Sequence, residues 1–286
     1  MFGRRFEVET PSGEPLDCVT RGRKHIAVCG DRVEFAVTGA GSGVIEKVLP
    51  RRNYLERSDA YKQKGIAANV DQVLVLAAVE PRASEEFITR VLLLAHAARV
   101  PALIALNKTD IAGTHAARER LAMFKAAGYA VVELKAKPHD GTPPSAQEAL
   151  QERVAGKCTV LVGQSGMGKS SLINALVPNA AAVIGELSVA LKAGKHTTTF
   201  SRLYRIDAQS TIIDCPGMQE VGLHHLSHRS LEAGFQEFAP FLGLCRFADC
   251  RHVHEPDCLI RAHVESGEIN RERLALFQKL VAEAGS

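Results

Sequence analysis

The 286-residue chain has no tryptophan, little excess charge and no long apolar run. Its most apolar region, residues 91 to 106, is interrupted by His96, Arg99 and Pro101, and no apolar stretch follows the first residues. We therefore expect neither a membrane span nor a signal peptide. The net charge of +3 permits contact with RNA without requiring it. Aromatic residues make up only 5%, which argues against a surface that binds single strands mainly by stacking.

The clearest motif is a phosphate-binding loop between a β-branched run at residues 158 to 162 and a helical pattern at 171 to 176. In such a loop the glycines let backbone N–H groups point inward, Lys169 reaches the β- and γ-phosphates, and the Ser170 hydroxyl ligates Mg²⁺. The alternative, a chance glycine-rich turn, is disfavoured by these flanks. The candidate phosphate-binding residues are Gly163, Gln164, Ser165, Gly166, Met167, Gly168, Lys169, Ser170 and Ser171.

A second motif, Asn107, Lys108, Thr109 and Asp110, follows an apolar run at residues 101 to 106. That run is typical of a buried parallel strand, and open α/β sheets bind ligands at the carboxyl ends of such strands. Asp110 can accept hydrogen bonds from the ring N–H and the amine of guanine, whereas Asn107 and Lys108 would support the loop and cover the base. Alone, the tetrapeptide also fits an ordinary polar turn; beside a phosphate loop it predicts a guanine nucleotide.

Two later segments have the character of nucleotide-sensing switches. Asp214 ends a predicted strand and begins an Asp-x-x-Gly loop, in which the carboxylate holds Mg²⁺ through water and the N–H of Gly217 senses the γ-phosphate. Residues 194 to 199 are polar, without apolar periodicity, and form the candidate first switch, in which Thr198 is favoured as a Mg²⁺ ligand. The alternative for this segment is a threonine-rich turn that leads into a strand at 200 to 206.

Four residues near the C-terminus have the spacing of a structural zinc site. Three thiolates and one imidazole complete a tetrahedral Cys₃His set with no open position for catalysis, and His254 competes with His252 as the fourth ligand. This cysteine usage argues for a reducing compartment, and we expect a cytoplasmic protein. The predicted ligands are Cys245, Cys250, His252 and Cys258. The remaining cysteines, predicted to be small buried hydrophobic residues, are Cys18, Cys29, Cys158 and Cys215.

The base motif precedes the phosphate loop, the reverse of the usual order. Nearly the whole chain resembles the ribosome small subunit-dependent GTPase A family, RsgA or YjeQ. The features that carry the resemblance are this motif order, the Gly-Lys-His-Thr-Thr-Thr segment, the Asp-Cys-Pro-Gly loop and the cysteine/histidine cluster. The resemblance implies an α/β P-loop GTPase domain, circularly permuted, with an N-terminal β-barrel (OB-fold) and a C-terminal zinc-binding α-helical domain. The expected domains are residues 1–68, 69–228 and 229–286.

The resemblance also implies a function. Members of this family act late in maturation of the small ribosomal subunit, where they contact 16S rRNA and ribosomal proteins. We therefore expect a monomeric GTP phosphohydrolase that binds GTP and GDP with Mg²⁺, carries one structural Zn²⁺ and does not contact a membrane.

Two departures from familiar GTPase patterns affect the mechanism. Residues 134 to 137, Leu-Lys-Ala-Lys, lack the serine that many GTPases carry in the second guanine-contact loop, and Met218 replaces the glutamine that orients water in Ras-like enzymes. His196 is the candidate that positions water when the ribosome orders the first switch, which predicts slow intrinsic hydrolysis stimulated by the small subunit. A solvated or structural histidine is the alternative.

The N-terminal segments at residues 6–10, 25–29, 33–38 and 43–48 alternate apolar and polar residues, which predicts short strands. Downstream, strands are predicted at 70–79, 101–106, 130–134, 158–162 and 211–214, and helices at 84–99, 115–127, 145–154 and 269–284. This alternation predicts a sheet of parallel strands. Basic residues near the ends of the N-terminal strands are candidates for RNA phosphate contacts, with a solvated basic rim as the alternative: Arg21, Arg23, Lys24, Arg51, Arg52 and Arg57.

Two other functions compete with a ribosome-stimulated GTPase. One is a GTP-gated rRNA-binding scaffold whose hydrolysis is incidental, and the other is a P-loop ATPase or small-molecule kinase, against which the base motif argues. Because the chain runs from the second switch directly toward the cysteine cluster, we also hypothesise that the nucleotide state controls the orientation of the C-terminal domain.

Overall fold

A computed structural model describes residues 5–20, 27–58, 63–137, 145–178, 201–215 and 221–284. Its N-terminal part is a four-stranded sheet of β1 (Arg5–Glu9), β2 (Pro15–Thr20), β3 (Val33–Gly39) and β4 (Ser42–Val48), in the order β1-β2-β4-β3. Strands β2 and β4 pair in parallel, and the other neighbours are antiparallel. Leu16, Cys18 and Ile45 of these strands face a small apolar core, which Ala27 of the connection between β2 and β3 also joins.

The predicted strand at 25–29 differs from the structure. Cys29 forms only an isolated bridge with Ala67, and residues 25 and 26 lie outside the described ranges. Ala67 belongs to an antiparallel hairpin of β5 (Tyr54–Ser58) and β6 (Gln63–Ala68), which joins the N-terminal sheet to the central part of the molecule. Neither this hairpin nor β2 was predicted from the sequence.

The central sheet contains β7 (Gln72–Ala78), β8 (Ala102–Asn107), β9 (Ala130–Glu133), β10 (Cys158–Val162), β11 (Arg202–Arg205) and β12 (Thr211–Asp214). The strand order among the described residues is β11-β12-β10-β7-β8-β9. All neighbours pair in parallel except β11, which is antiparallel to β12. The prediction of a sheet of parallel strands is therefore wrong at this edge, where only five residues, 206 to 210, separate the two strands and make a tight reversal.

The helices of the central part are α1 (Glu85–Ala97), α2 (Thr114–Ala126), α3 (Ala146–Val154) and α4 (Lys169–Leu176). Helix α1 begins where the Ser84 hydroxyl accepts a hydrogen bond from the N–H of Phe87, and α3 begins with a capping box between Ser145 and Glu148. The predicted apolar stripe of α1 is buried, since Phe87, Val91 and Leu94 are at most 4% exposed.

The C-terminal part contains α5 (His228–Gly234), a 3₁₀ helix (Gln236–Phe241), α6 (Leu259–Glu265) and α7 (Arg271–Ala284). The rings of Phe235, Phe238 and Phe277 are fully buried and contact one another. These side chains belong to the same apolar core as the central sheet, so the C-terminal helices pack directly on the GTPase-like part. No helix within the described ranges is long and apolar enough to cross a membrane.

Candidate nucleotide site and metal centre

The phosphate loop connects β10 to α4 at the carboxyl end of the central sheet. Gly166 and Gly168 have φ values of 81° and 95°, which favour glycine. A Cβ atom on Gly168 would lie 2.4 Å from Asn107 Nδ2, and one on Gly163 would lie 2.8 Å from the carbonyl oxygen of Leu76. Glycine is therefore required both by the backbone conformation and by the close approach of the neighbouring strands.

Lys169 and Asp214 are the charged groups next to this loop. Lys169 Nζ donates to the carbonyl oxygens of Gly163 and Gln164 at 2.5 and 3.2 Å. Burial lowers the pKa of Lys169 even though Asp214 acts in the opposite direction. Burial also raises the pKa of Asp214, and its Oδ1 is buried with no hydrogen-bond partner among the described residues. Phosphates near Lys169 and a cation near Asp214 would offset both desolvation costs.

Asn107 connects the base motif to the phosphate loop. Its Nδ2 donates to the carbonyl oxygen of Met167 at 2.8 Å, and its Oδ1 accepts from the backbone N–H of Ala136 at 2.9 Å. Asn107 is only 2% exposed, so water does not compete for these bonds. One amide thus fixes three loops that are far apart in sequence.

The next two residues of the base motif also lie beside the phosphate loop or the segment at residue 134. Lys108, which has a φ of 64°, donates through Nζ to the carbonyl oxygens of Glu80 and Gly166 at 2.7 and 2.8 Å. The Thr109 hydroxyl donates to the carbonyl oxygen of Leu134 at 3.3 Å. Asp110 Oδ2 is buried and has no hydrogen-bond partner in the part of the chain that the structure describes. A guanine edge would supply the donors that this carboxylate lacks.

The segment considered as a second guanine-contact loop, residues 134 to 137, packs beside the base motif. The N–H of Leu134 donates to the carbonyl oxygen of Leu106 at 2.9 Å, Ala136 is bonded to Asn107, and Lys135 is 8% exposed. The missing serine therefore does not prevent residues 134 to 136 from packing against the base motif. The contact between Asn107 and Ala136 was not predicted, because sequence spacing gives no sign of it.

Several predicted site residues lie outside the described ranges. They include the candidate switch residues and the position after the second switch motif: His196, Thr198, Gly217 and Met218. Of the predicted RNA contacts, Arg51 pairs with Asp31 at 2.7 Å and Arg52 pairs with Asp71 at 2.8 Å. Because both guanidinium groups are held by carboxylates of the protein itself, they are weaker candidates for phosphate contacts than the sequence suggested.

The four predicted metal ligands form one cluster. Their Sγ atoms and one imidazole nitrogen all lie within 4.8 Å of one another, at Cys245, Cys250, His252 and Cys258. His252 is 2% exposed, whereas the competing His254 is exposed and outside the cluster. Burial raises the pKa of the Cys250 and Cys258 thiols, and a bound cation would act in the opposite direction by favouring the thiolates. The donor set and its closeness fit a tetrahedral metal ion.

Comparison with known proteins decides the family. Residues 48–224 match the RsgA GTPase family, and curated relatives match nearly the whole chain. The chain belongs to the RsgA GTPase family. The small ribosomal subunit biogenesis GTPase RsgA of Burkholderia pseudomallei is 47% identical over 284 residues, which cover 99% of this chain and 90% of that protein. The protein of the same name from Ralstonia nicotianae is 46% identical over 287 residues, covering 99% and 89%.

Solved structures support the RsgA assignment. YjeQ from Thermotoga maritima matches with a TM-score of 0.72 and 32% identity over 99% of this chain and 94% of that chain. YloQ, a circularly permuted GTPase, matches with a TM-score of 0.69 and 23% identity over 100% and 92%, a likeness of fold. The permuted GTPase fold predicted from the motif order is confirmed.

Proposed function

We propose that this protein hydrolyses GTP during late maturation of the small ribosomal subunit. The observation that carries the proposal is the unpaired, buried carboxylate oxygen of Asp110, on the same loop that Asn107 ties to the phosphate loop. The loop is thus both a guanine acceptor and part of the phosphate-binding framework. The names of the relatives from Burkholderia and Ralstonia support the ribosomal role.

The residues divide into those that bind the base and those that bind the phosphates. Asp110 accepts hydrogen bonds from guanine, and Asn107, Lys108 and Thr109 hold the loop in place. The backbone N–H groups of residues 163 to 170, together with Ser171 in the first turn of α4, would surround the phosphates. Lys169 would then exchange its carbonyl partners for the β- and γ-phosphates. Ser170, Thr198, Asp214 and Gly217 complete the set around Mg²⁺ and the γ-phosphate.

Asp214 fits a role beside Mg²⁺, because its buried oxygen has no other described partner. When bound, Mg²⁺ would neutralise charge that develops on the phosphates. We propose that His196 positions the attacking water, because the thioether of Met218 is too weak a hydrogen-bond acceptor to do so. The expected behaviour is slow intrinsic hydrolysis that purified small subunits stimulate.

The test compares GTP turnover by the wild type and by His196→Ala, with and without purified small ribosomal subunits. We expect subunits to stimulate the wild type, and the substitution to remove on the order of 10²-fold of the stimulated rate. No stimulation of the wild type would contradict the proposed function. If the variant stays within about twofold of the wild type, only the assignment of His196 fails.

The partners and the division into domains complete the proposal. We place an RNA-binding OB-fold domain at residues 1–68, the permuted GTPase at 69–228 and the zinc-binding domain at 229–286. The protein acts as a monomer in the cytoplasm and contacts 16S rRNA and ribosomal proteins. The metal is one structural Zn²⁺, held by the Cys₃His cluster. Atomic spectroscopy after dialysis against a weak chelator should find about one zinc per chain, whereas a clearly smaller amount removes the site.

A further inference from the structure

Glu232 contacts the metal-ligand cluster from outside the loop that supplies the ligands. It lies on α5, and its Oε1 is 2.8 Å from Nε2 of His252. The side chain of His252 is 3% exposed and that of Glu232 is 17% exposed, so the contact is largely shielded from water. The pair therefore differs from a surface ion pair, which would contribute little.

The orientation of the His252 ring assigns a role to each nitrogen. Nδ1 faces the thiols, at 3.2 Å from Cys258 Sγ and 3.4 Å from Cys250 Sγ, whereas Nε2 faces away from them, toward Glu232. A neutral imidazole has one lone pair for a metal and one N–H group. If Nδ1 is the ligand, Nε2 carries the proton and its N–H donates a hydrogen bond to the Glu232 carboxylate. A carboxylate in this place selects that tautomer and makes Nδ1 more basic.

A second contact fixes the backbone of the same residue. Gln278 on α7 donates through Nε2 to the carbonyl oxygen of His252 at 2.5 Å, and His252 has a φ of 60°, a conformation that few non-glycine residues adopt. His252 is thus held through its ring by Glu232 of α5 and through its carbonyl oxygen by Gln278 of α7. Both helices lie outside the cysteine loop between residues 242 and 258.

We propose that Glu232 is a positioning residue for the metal, which acts through the tautomer and orientation of His252. The proposal rests on the zinc site of the proposed function. It also implies that metal binding and the placement of α5 are coupled, because the ion and the helix hold opposite nitrogens of one imidazole.

The test measures the zinc dissociation constant of the full-length chain by competition with a chromophoric chelator. The variants are Glu232→Gln, Glu232→Ala and the control Glu265→Gln, which changes an exposed carboxylate at the end of α6. We expect Glu232→Ala to weaken zinc binding about 10- to 100-fold, Glu232→Gln to weaken it less, and the control to match the wild type. Glu232→Gln keeps the size of the side chain and serves if the alanine variant does not fold.

A second readout separates positioning from general stabilisation. Long-range ¹H–¹⁵N correlation of the histidine rings in the zinc-loaded protein should show Nε2 of His252 protonated in the wild type, with a changed Nε2 shift in Glu232→Gln. If both Glu232 variants bind zinc within twofold of the wild type, or the ring signals of His252 are the same in all proteins, the proposal is overturned. A wild type that binds no zinc would instead remove the metal site itself.

Discussion

Asp110 and Asp214 each bring to the nucleotide site a buried carboxylate oxygen that has no hydrogen-bond partner among the described residues. Leaving such an oxygen unpaired costs free energy, which a protein recovers when a ligand supplies the missing donor or cation. For Asp110 the missing partners are N–H donors, and for Asp214 the missing partner is a cation beside the phosphates. These two residues therefore give the most direct tests of the site.

Asp110→Asn should reduce the affinity for GTP about 10- to 100-fold, because a charged acceptor facing two donors is replaced by an amide that presents one acceptor and one donor. The same variant should gain affinity for xanthosine triphosphate, whose C2 carbonyl oxygen replaces the guanine amine and accepts a hydrogen bond from the new amide. Calorimetry with both nucleotides measures this exchange. Equal losses for the two nucleotides would indicate a damaged fold, and unchanged GTP binding would remove Asp110 from the site.

Asp214→Asn should raise the thermal midpoint of the nucleotide-free protein and lower Mg²⁺-dependent hydrolysis of GTP about 100-fold. Burial raises the pKa of Asp214 in the folded state, so its protonated form is favoured there. Ionisation of Asp214 therefore lowers the free energy of unfolding. This cost is absent below the unfolded-state pKa and is fully present once the pH has risen through the folded-state pKa. A neutral amide removes this cost at neutral pH.

Asp207 provides a control of opposite sign for that experiment. Backbone N–H groups and the Ser210 hydroxyl hold the pKa of Asp207 below its ordinary value, with the bond from Gln209 as the main cause. Its ionised form therefore stabilises the fold above the unfolded-state pKa, and Asp207→Asn should lower the thermal midpoint rather than raise it. If Asp214→Asn lowers the midpoint as Asp207→Asn does, the explanation given for Asp214 is wrong.

At the scale of elements, one buried cation contributes to the docking of α7 onto the central part. Arg273 is 1% exposed, pairs with Glu237 of the 3₁₀ helix at 2.5 Å and donates to the hydroxyl of Thr89 in α1 at 2.8 Å. Its guanidinium also lies 4.5 Å from the ring centre of Phe235. These contacts join the C-terminal helices to the first helix of the GTPase part.

Arg273→Met should destabilise the protein by about 3 to 5 kcal/mol, because the Glu237 carboxylate would stay buried without its partner. Thermal unfolding measures the change as a fall of the midpoint by several degrees or more. The double variant Arg273→Met with Glu237→Gln should recover part of the loss. Arg5→Met, which breaks an exposed pair with Asp17, should change the midpoint little, and an equal effect of the two single substitutions would contradict the prediction.

Local sequence signals predicted most elements of the central part, and tertiary contacts account for the rest. Ser84 and Ser145 marked the beginnings of α1 and α3, since their hydroxyls cap those helices. Strand β2 was missed although Leu16 and Cys18 alternate with exposed residues, because its first residue is a proline and the run is short. The hairpin of β5 and β6 carries several charged residues next to its buried ones, and these interrupt the alternating pattern expected of a strand.

Within the candidate site, motif chemistry predicted the residues but gave no sign of their mutual contacts. The spacing of the cysteines predicted the metal cluster, and the choice of His252 over His254 agrees with the burial of the former. No sequence signal placed Asn107 between Met167 and Ala136, or Glu232 beside His252, since these partners come from separate elements. Such contacts follow from packing, which periodicity does not describe.

At the scale of the whole molecule, residues 221 to 226, which follow the predicted second switch, contact the β5–β6 hairpin and α1, and α1 in turn contacts α7. The backbone N–H of Ser58 donates to the carbonyl oxygen of Gly222, and the Ser58 hydroxyl contacts both His225 Nδ1 and the His225 backbone N–H. Arg90 of α1 donates to the carbonyl oxygen of Val221 and pairs with Glu283 of α7. A conformational change in the predicted second switch would therefore displace residues 221 to 226 first, and would reach the domains only through the contacts of these residues.

This arrangement refines the hypothesis that the nucleotide state controls the C-terminal domain. We expect amides of residues 221 to 226 to exchange hydrogen more slowly with a non-hydrolysable GTP analogue than with GDP, because an ordered switch would restrain the segment that follows it. Helix α7 should exchange equally in both states, since Arg273 anchors it to α1. Identical exchange over residues 219 to 258 in the two states, in free and subunit-bound protein, would refute the coupling.

The central claim is that the separated motifs of this permuted chain form one guanine-nucleotide site. Isothermal titration calorimetry of the full-length protein with GTP and with ATP, both in the presence of Mg²⁺, tests it most directly. The account predicts that GTP binds at least about 100-fold more tightly, because only guanine offers paired donors to Asp110. Equal affinities for the two nucleotides would contradict it.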